Sequence, residues 1–176
     1  MPATDRPHRG ACLVRLLLGL TPFLFGLSTL WLGQDISWDL RNYHFYNPFA
    51  FLTGRMGHDV AVSHVATYYN PLIYIPLYYA VTWLPPKAVG FILGFLPGLN
   101  VFPIYGITRQ AIDSGKAGNS AWRCLALTLV AVLGAINLAE IGTSYGDNIL
   151  SLPVLAALWL IVHFRQRLSV SLRSGW

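Results

Sequence analysis

Apolar and polar positions in this chain separate into whole segments. Four long apolar stretches, about 11–33, 88–108, 121–139 and 149–164, are divided by regions where the polar residues gather. As a helix the first would rise about 34 Å, enough for a hydrocarbon core of about 30 Å, so it predicts a membrane span. Its one charge, Arg15, lies close enough to the end to snorkel to the interface. The sequence LWLGQDIS that follows has no small-x-small cleavage site, so the segment reads as a span and not as a signal peptide. Residues 70–84 are also apolar but reach only about 22 Å as a helix. They carry Pro71, Pro76, Tyr74, Tyr78, Tyr79 and Trp83, a composition that belongs at the headgroup level. The pattern predicts an all-α polytopic membrane protein, a single membrane domain over 1–176. It has about four transmembrane helices and an outer loop, 34–87, with amphipathic and interfacial helices.

Composition supports a membrane protein: 55% of residues are hydrophobic, 11% are charged and the mean hydropathy is +0.51. A soluble domain has roughly a quarter of its residues charged. The net charge of +5 does not point to nucleic acid, because the basic residues stand at the ends of apolar runs and form no patch. They act as topology signals instead. With four spans, Arg6, Arg9, Arg15, Arg109, Lys116, Arg123, Arg165, Arg167 and Arg173 share one side, and only Arg41, Arg55 and Lys87 the other. Counting 70–84 as a fifth span leaves Arg6, Arg9, Arg15 and Lys87 inside against the other basic residues outside. The positive-inside rule selects four spans with both termini cytoplasmic, in a plasma (inner) membrane. Asp35, Asp39, Asp59, Glu140 and Asp147 then gather on the outer face.

Several chemistries find no support. Cys12 and Cys124 form no framework and have no neighbouring metal ligand, and Cys12 precedes the apolar run, the wrong order for lipidation. The turn at 114–120, SGKAGNS, lacks both P-loop spacing and a preceding strand. His44, His58 and His64 lack metal spacing and read as surface or interface residues, so no metal is expected. Pro97, Gly98, Asn100 and Pro103 interrupt the second span without an ionisable residue, which argues against a transporter.

Two polar islands remain. If Ser37 caps a helix, then Asp39, Tyr43, Tyr46 and Asn47 share one face, and Asp39 at the membrane surface is a candidate general base. The plainer reading makes Asp39 a dipole partner at a helix N-terminus and Asp35 a marker of the membrane boundary. The second island, 139–148, places Glu140 at the end of the third span and Asp147 at the start of the fourth, where Asp147 is either a helix N-cap or a residue facing Asp39.

The order of these elements resembles the GT-C class of membrane glycosyltransferases. The elements are a first span, an outer-loop aspartate, an aromatic helix ending near Gly54 and Arg55, then a Tyr-x-x-Pro-Leu-x-Tyr element at Tyr68, Pro71, Leu72 and Tyr74. More closely they resemble the protein O-mannosyltransferase and aminoarabinose-transferase branch. In that branch the loop aspartate matches Asp39, the Pro-Leu-aromatic helix matches Pro71, Leu72 and Tyr74, and a span-opening aspartate matches Asp147. Leu40 stands where the family often has a second acid, and a single Pro71 where it has a pair. The resemblance covers the N-terminal part of such an enzyme, with the remaining spans on a continuation or a partner chain.

It implies sugar transfer from a polyprenyl-phosphate carrier to an acceptor at the outer face, with no cofactor beyond that lipid-linked donor. Asp39 would take the acceptor proton and Asp147 would orient the acceptor or sugar. Arg41, Arg55 and Lys87 are the outer cations for the lipid phosphate, Arg41 first because it adjoins Asp39, while Tyr43 and Glu140 are further candidate substrate contacts. Asp35 has no role in the resemblance. The alternative is a non-catalytic polytopic membrane protein, a truncated gene product or a partner subunit.

Overall fold

The computed structural model describes residues 6–112 and 120–174, whose regular elements are all helical, with no strand among them. Among the described residues, three helices are long and apolar enough to cross a membrane: Gly10–Leu32, Pro86–Ile112 and Asp147–Arg165. The first lies in α1 (Arg6–Leu32). Between α1 and the second come a wide turn at Leu40–His44, the short helix α2 (Tyr46–Leu52), two single turns at His64–Tyr68 and Leu72–Tyr74, and α3 (Ile75–Trp83). At nine residues, about 14 Å, α3 is too short to span, as its prolines and tyrosines lead one to expect.

The second long helix is α4 (Pro86–Gly98) followed, after a tight turn, by α5 (Val101–Ile112). The interruption falls at the Pro97–Asn100 stretch, where buried Asn100 donates from Nδ2 to the Asn148 carbonyl at 2.9 Å and to Ser151 Oγ at 2.7 Å. Those bonds tie the break to α8 (Asp147–Ser174).

The expected third span over 121–139 is not one helix. It is α6 (Ser120–Val132) of 13 residues, about 20 Å, then a break, then α7 (Ala135–Ala139). Gly134 takes an extended backbone at the break, and glycine is about 1 kcal/mol worse than alanine inside a helix. Asn137 then donates to the Ala131 carbonyl at 3.3 Å, which answers one of the acceptors that the broken ladder leaves open. The turn expected at 114–120 lies, up to residue 119, outside the described residues.

The tightest packing is between α1 and α4, which run antiparallel. A Cβ on Gly94 would strike the Phe25 carbonyl oxygen at 2.5 Å as well as the Thr29 side chain, so only glycine lets the two backbones come this close. Val14, Leu18, Phe25, Val101, Leu125, Val132 and Ile141 form the core cluster where α1, α5 and α6 meet. The apolar window of α8, by contrast, is only 6% buried, so it turns Val154, Leu158 and Ile161 outward, as a lipid-facing helix does.

Candidate functional site

The chain leaves α1 through Gln34 and turns at Asp35. The Asp35 carboxylate accepts from the Ser37 amide at 2.8 Å, and Ser37 Oγ accepts from the Leu40 amide at 3.2 Å, so Ser37 does cap the next element. That element is a single wide turn, closed by the Phe45 amide on the Leu40 carbonyl five residues back. It puts Tyr43 beside Asp39 but advances the chain by an extra residue, roughly 100° of helix phase. Tyr46 and Asn47 are therefore not on the Asp39 face. The Tyr46 hydroxyl goes to Asp59, and Asn47 donates to the Ala66 carbonyl at 2.8 Å.

The second island arrives through Gly142, whose φ of +79° and contact with Thr29 suit only a residue without a side chain. This turn delivers Ser144 between two residues of the first island. Its amide donates to Asp35 Oδ2 at 2.7 Å, and its hydroxyl bonds His44 Nδ1 at 2.7 Å. His44 and Ser144 are 1% and 2% exposed, so this knot is closed to solvent at its centre. His44 stacks on Tyr74, centroids 4.1 Å apart at 19°, and meets the Tyr43 ring edge-on at 4.4 Å.

The electrostatics follow from this packing. Burial pushes the Asp35 carboxyl up, but hydrogen bonds from Ser37 and Ser144 outweigh it and hold the group below its usual range. Burial lowers the His44 imidazole against the pull of Asp39 and Asp35, so it is neutral at pH 7. Half-buried Asp39 is the hub for two phenols. Tyr145 is raised chiefly by its hydrogen bond to Asp39, whereas Tyr43 is pushed up to about 12, first by burial and then by the Asp39 charge. Both phenols are therefore protonated beside this carboxylate. Tyr74 is raised by burial, then by Asp147, then by Asp39, so both expected site carboxylates lie within electrostatic reach of one hydroxyl.

Asp147 is exposed and sits in the first turn of α8. Gly146 is the residue whose carbonyl takes the first amides, and no side-chain hydrogen bond to Asp147 is found among the described residues. Its position favours the helix dipole without being an N-cap. Glu140 is raised by burial and then by the Asp147 charge, and its buried Oε2 has no hydrogen-bond partner among the described residues.

The expected cations divide. Arg55 is taken up by Asp59 in a two-pronged pair, both bonds 2.9 Å, and the Tyr46 hydroxyl completes the unit. The Arg55 hydrogen bond is the first cause of an Asp59 carboxyl lowered to about 2. Arg55 is thus engaged elsewhere and does not join the Asp39 cluster. Arg41 is exposed two residues beyond Asp39, and Lys87 lines a cavity of about 280 Å³ between the ends of α1 and α4. A neighbouring apolar cavity of about 120 Å³ runs under the knot, between Leu77, Val81, Val89 and Leu93, with Asp35 on its wall.

Asp39, Tyr43, Glu140 and Asp147 are thus linked electrostatically at one end of the bundle, whereas Arg55 is paired with Asp59. His44, Ser144, Tyr145 and the structural part played by Asp35 were missed from sequence, and His44 is a buried residue rather than a surface one. No group of three metal-ligating side chains is found among the described residues. Chemically the arrangement offers a carboxylate that two neutral phenols steady, able to take a proton from a hydroxyl brought to it. No family model matches the chain, and neither a curated protein nor a solved structure is found to be similar to it.

Proposed function

We propose that this chain is the N-terminal part of a membrane glycosyltransferase that moves a sugar from a polyprenyl-phosphate carrier to an acceptor at the outer face, with Asp39 as general base. The observation that carries this reading is the meeting of the two polar islands. Residues 35–44 and 140–147 are far apart in sequence, yet Ser144 is bonded to both Asp35 and His44, and Tyr145 reaches Asp39. The proposed displacement at the anomeric carbon needs a base for the acceptor proton, a second carboxylate to orient the reactants, and a cation for the departing lipid phosphate. Asp39, Asp147 and Arg41 fill those roles in this proposal.

The same reading has four crossings, with 34–87 outside and both termini in the cytoplasm of a plasma membrane. Two features support it. The basic residues divide nine to three, and the α6–α7 pair must return from the far end of α5 to the level of Asp35 for Ser144 to bond there. A non-catalytic subunit is favoured by the scant burial of α8, whose apolar window leaves room for further helices as well as lipid.

The test is sugar transfer in membranes carrying the full gene product. Asp39→Asn should lower the rate roughly 100- to 10,000-fold while membrane insertion and donor binding persist. Unchanged transfer in Asp39→Asn would remove this base and leave the subunit reading.

A further inference from the structure

The outer loop presents apolar side chains in a way that asks for a partner. Between Arg41 and Lys87 the only charged residues are Arg55 and Asp59. Those two neutralise each other through paired hydrogen bonds, with the Tyr46 hydroxyl as a third contact. Beyond them the chain passes through Ala61 at φ +40° and His64 at φ +51°, left-handed conformations that are strained for non-glycine residues and persist only where the surroundings enforce them. The enforcement is visible. Ser63, Ala66 and Thr67 are buried, the Ser63 amide donates to Thr67 Oγ1 at 2.7 Å, and Asn47 holds the Ala66 carbonyl. The strained turns send Val60 outward at 91% exposure, Val65 at 68% and Tyr68 at 69%.

We infer that residues 56–69 form a foot that rests in the headgroup–acyl boundary of the membrane crossed by α1 and α4. Three observations select lipid over a protein partner. The loop is bounded by the ends of α1 and α4, and Gly33, Gln34, Pro86 and Lys87 line one cavity, which puts both ends at one level and tethers the loop at a membrane surface. The foot is joined through α2 to α3, whose Tyr78, Tyr79 and Trp83 are of the interfacial aromatic kind. Its one charge, Asp59, is already paired with Arg55 at the edge of the foot, which lowers the cost of leaving water, whereas the rim of a protein interface is polar and solvent-accessible. A seat about 5–10 Å into the boundary would cover the exposed valines. This inference rests on α1 and α4 crossing the membrane and not on sugar transfer.

The test uses the full chain with Cys12 and Cys124 replaced by serine and Val60→Cys carrying an environment-sensitive fluorophore, in phosphatidylcholine vesicles. Gly19→Cys in α1 gives the lipid benchmark, because its surroundings are open. Expected are a blue-shifted emission for the Val60 label, quenching by lipids spin-labelled near the headgroup that exceeds quenching by chain-end labels, and loss of quenching by aqueous iodide. Full iodide quenching without lipid quenching would overturn the inference. So would shielding from both agents, which would mean that protein covers the tip. A Gly19 label untouched by lipid would remove the span on which the foot depends, whatever the outcome for sugar transfer.

Discussion

The α1–α4 seam and the knot around Ser144 hold the molecule together by opposite means. Along the seam the fit is one of shape: Gly94 lies on Phe25 and Thr29, Gly98 on Pro22, and Gly90 beside Thr29. Where neighbours are lipid chains, apolar contact alone gives no preference for helix over lipid, so close approach has to supply it. At the knot the backbone is irregular and its polar groups have to be answered. Asp35 takes two amides and His44 a hydroxyl, with three tyrosines around them. The difference teaches where each region can be changed. The seam is most sensitive to added bulk, whereas the knot is most sensitive to the loss of an acceptor.

Bulk at the seam should have the largest effect. Gly94→Leu drives a side chain into the Phe25 backbone, which cannot rotate away, so a loss of about 3 kcal/mol or more is expected in detergent or nanodisc unfolding, the upper end for overpacking. Gly19→Leu, on the same bundle but facing open space, should leave stability nearly unchanged. Equal effects of the two would mean that the seam is not what holds α1 to α4.

At the knot, Asp35→Asn keeps the size and removes the charge, leaving an amide NH₂ opposite a backbone N–H. The expected loss is about 1.5–3 kcal/mol, toward the lower end because the site is partly exposed to solvent. Asp39→Asn should cost far less in the same unfolding assay and far more in transfer. The two aspartates would thereby separate into a structural and a chemical one.

The two regions were not equally legible in sequence. The spans at 11–33 and 149–164 stand out because a run of that length with so few charges is itself the signal. The break at Gly134 does not, since averaging hydropathy over an apolar run hides a single glycine. Gly90, Gly94 and Gly98 at intervals of four were a usable sign of the seam. Asp39 was found by its place after the first span, and Tyr43 by its helical spacing. Tyr46 and Asn47 were misplaced because spacing assumes an ordinary helix and the chain makes a wide turn instead. Nothing local marks Ser144 as the partner of Asp35 and His44, which lie 109 and 100 residues away. Such pairings are created by the fold of the spans and only then acquire a chemical reason.

Acid should loosen the knot in two steps. Because the folded His44 value is lowered, the unfolded chain binds its proton first, so stability is full above 6.5 and falls as pH drops through the lowered folded value. Asp35 is also lowered in the fold, so its contribution is present above 3.8 and is lost as pH falls further. The groups facing the ring are Asp39, Asp35 and the phenols of Tyr43, Tyr74 and Tyr145, and burial prevails over both carboxylates. His44→Asn can still bond Ser144 and cannot titrate. Its unfolding profile should therefore keep the lower step and lose the upper one. An unchanged upper step would assign it to another group.

The smallest effect is expected at the third polar unit, and it sharpens the contrast between a residue that is merely charged and one that is placed. Arg55 was a candidate for the lipid phosphate on the strength of its side of the membrane, but it is spent on Asp59 in an exposed pair, of a kind that contributes little to stability. Arg41 adjoins Asp39, and no ion pair to it is found among the described residues. Arg55→Gln should therefore leave both unfolding and the donor KM of the full gene product within experimental scatter, while Arg41→Gln should raise KM or lower kcat without moving the unfolding midpoint. A larger kinetic effect at Arg55 than at Arg41 would mean that the Asp59 pair opens when donor binds, and that the leaving phosphate is held from the foot of the outer loop instead of from the knot.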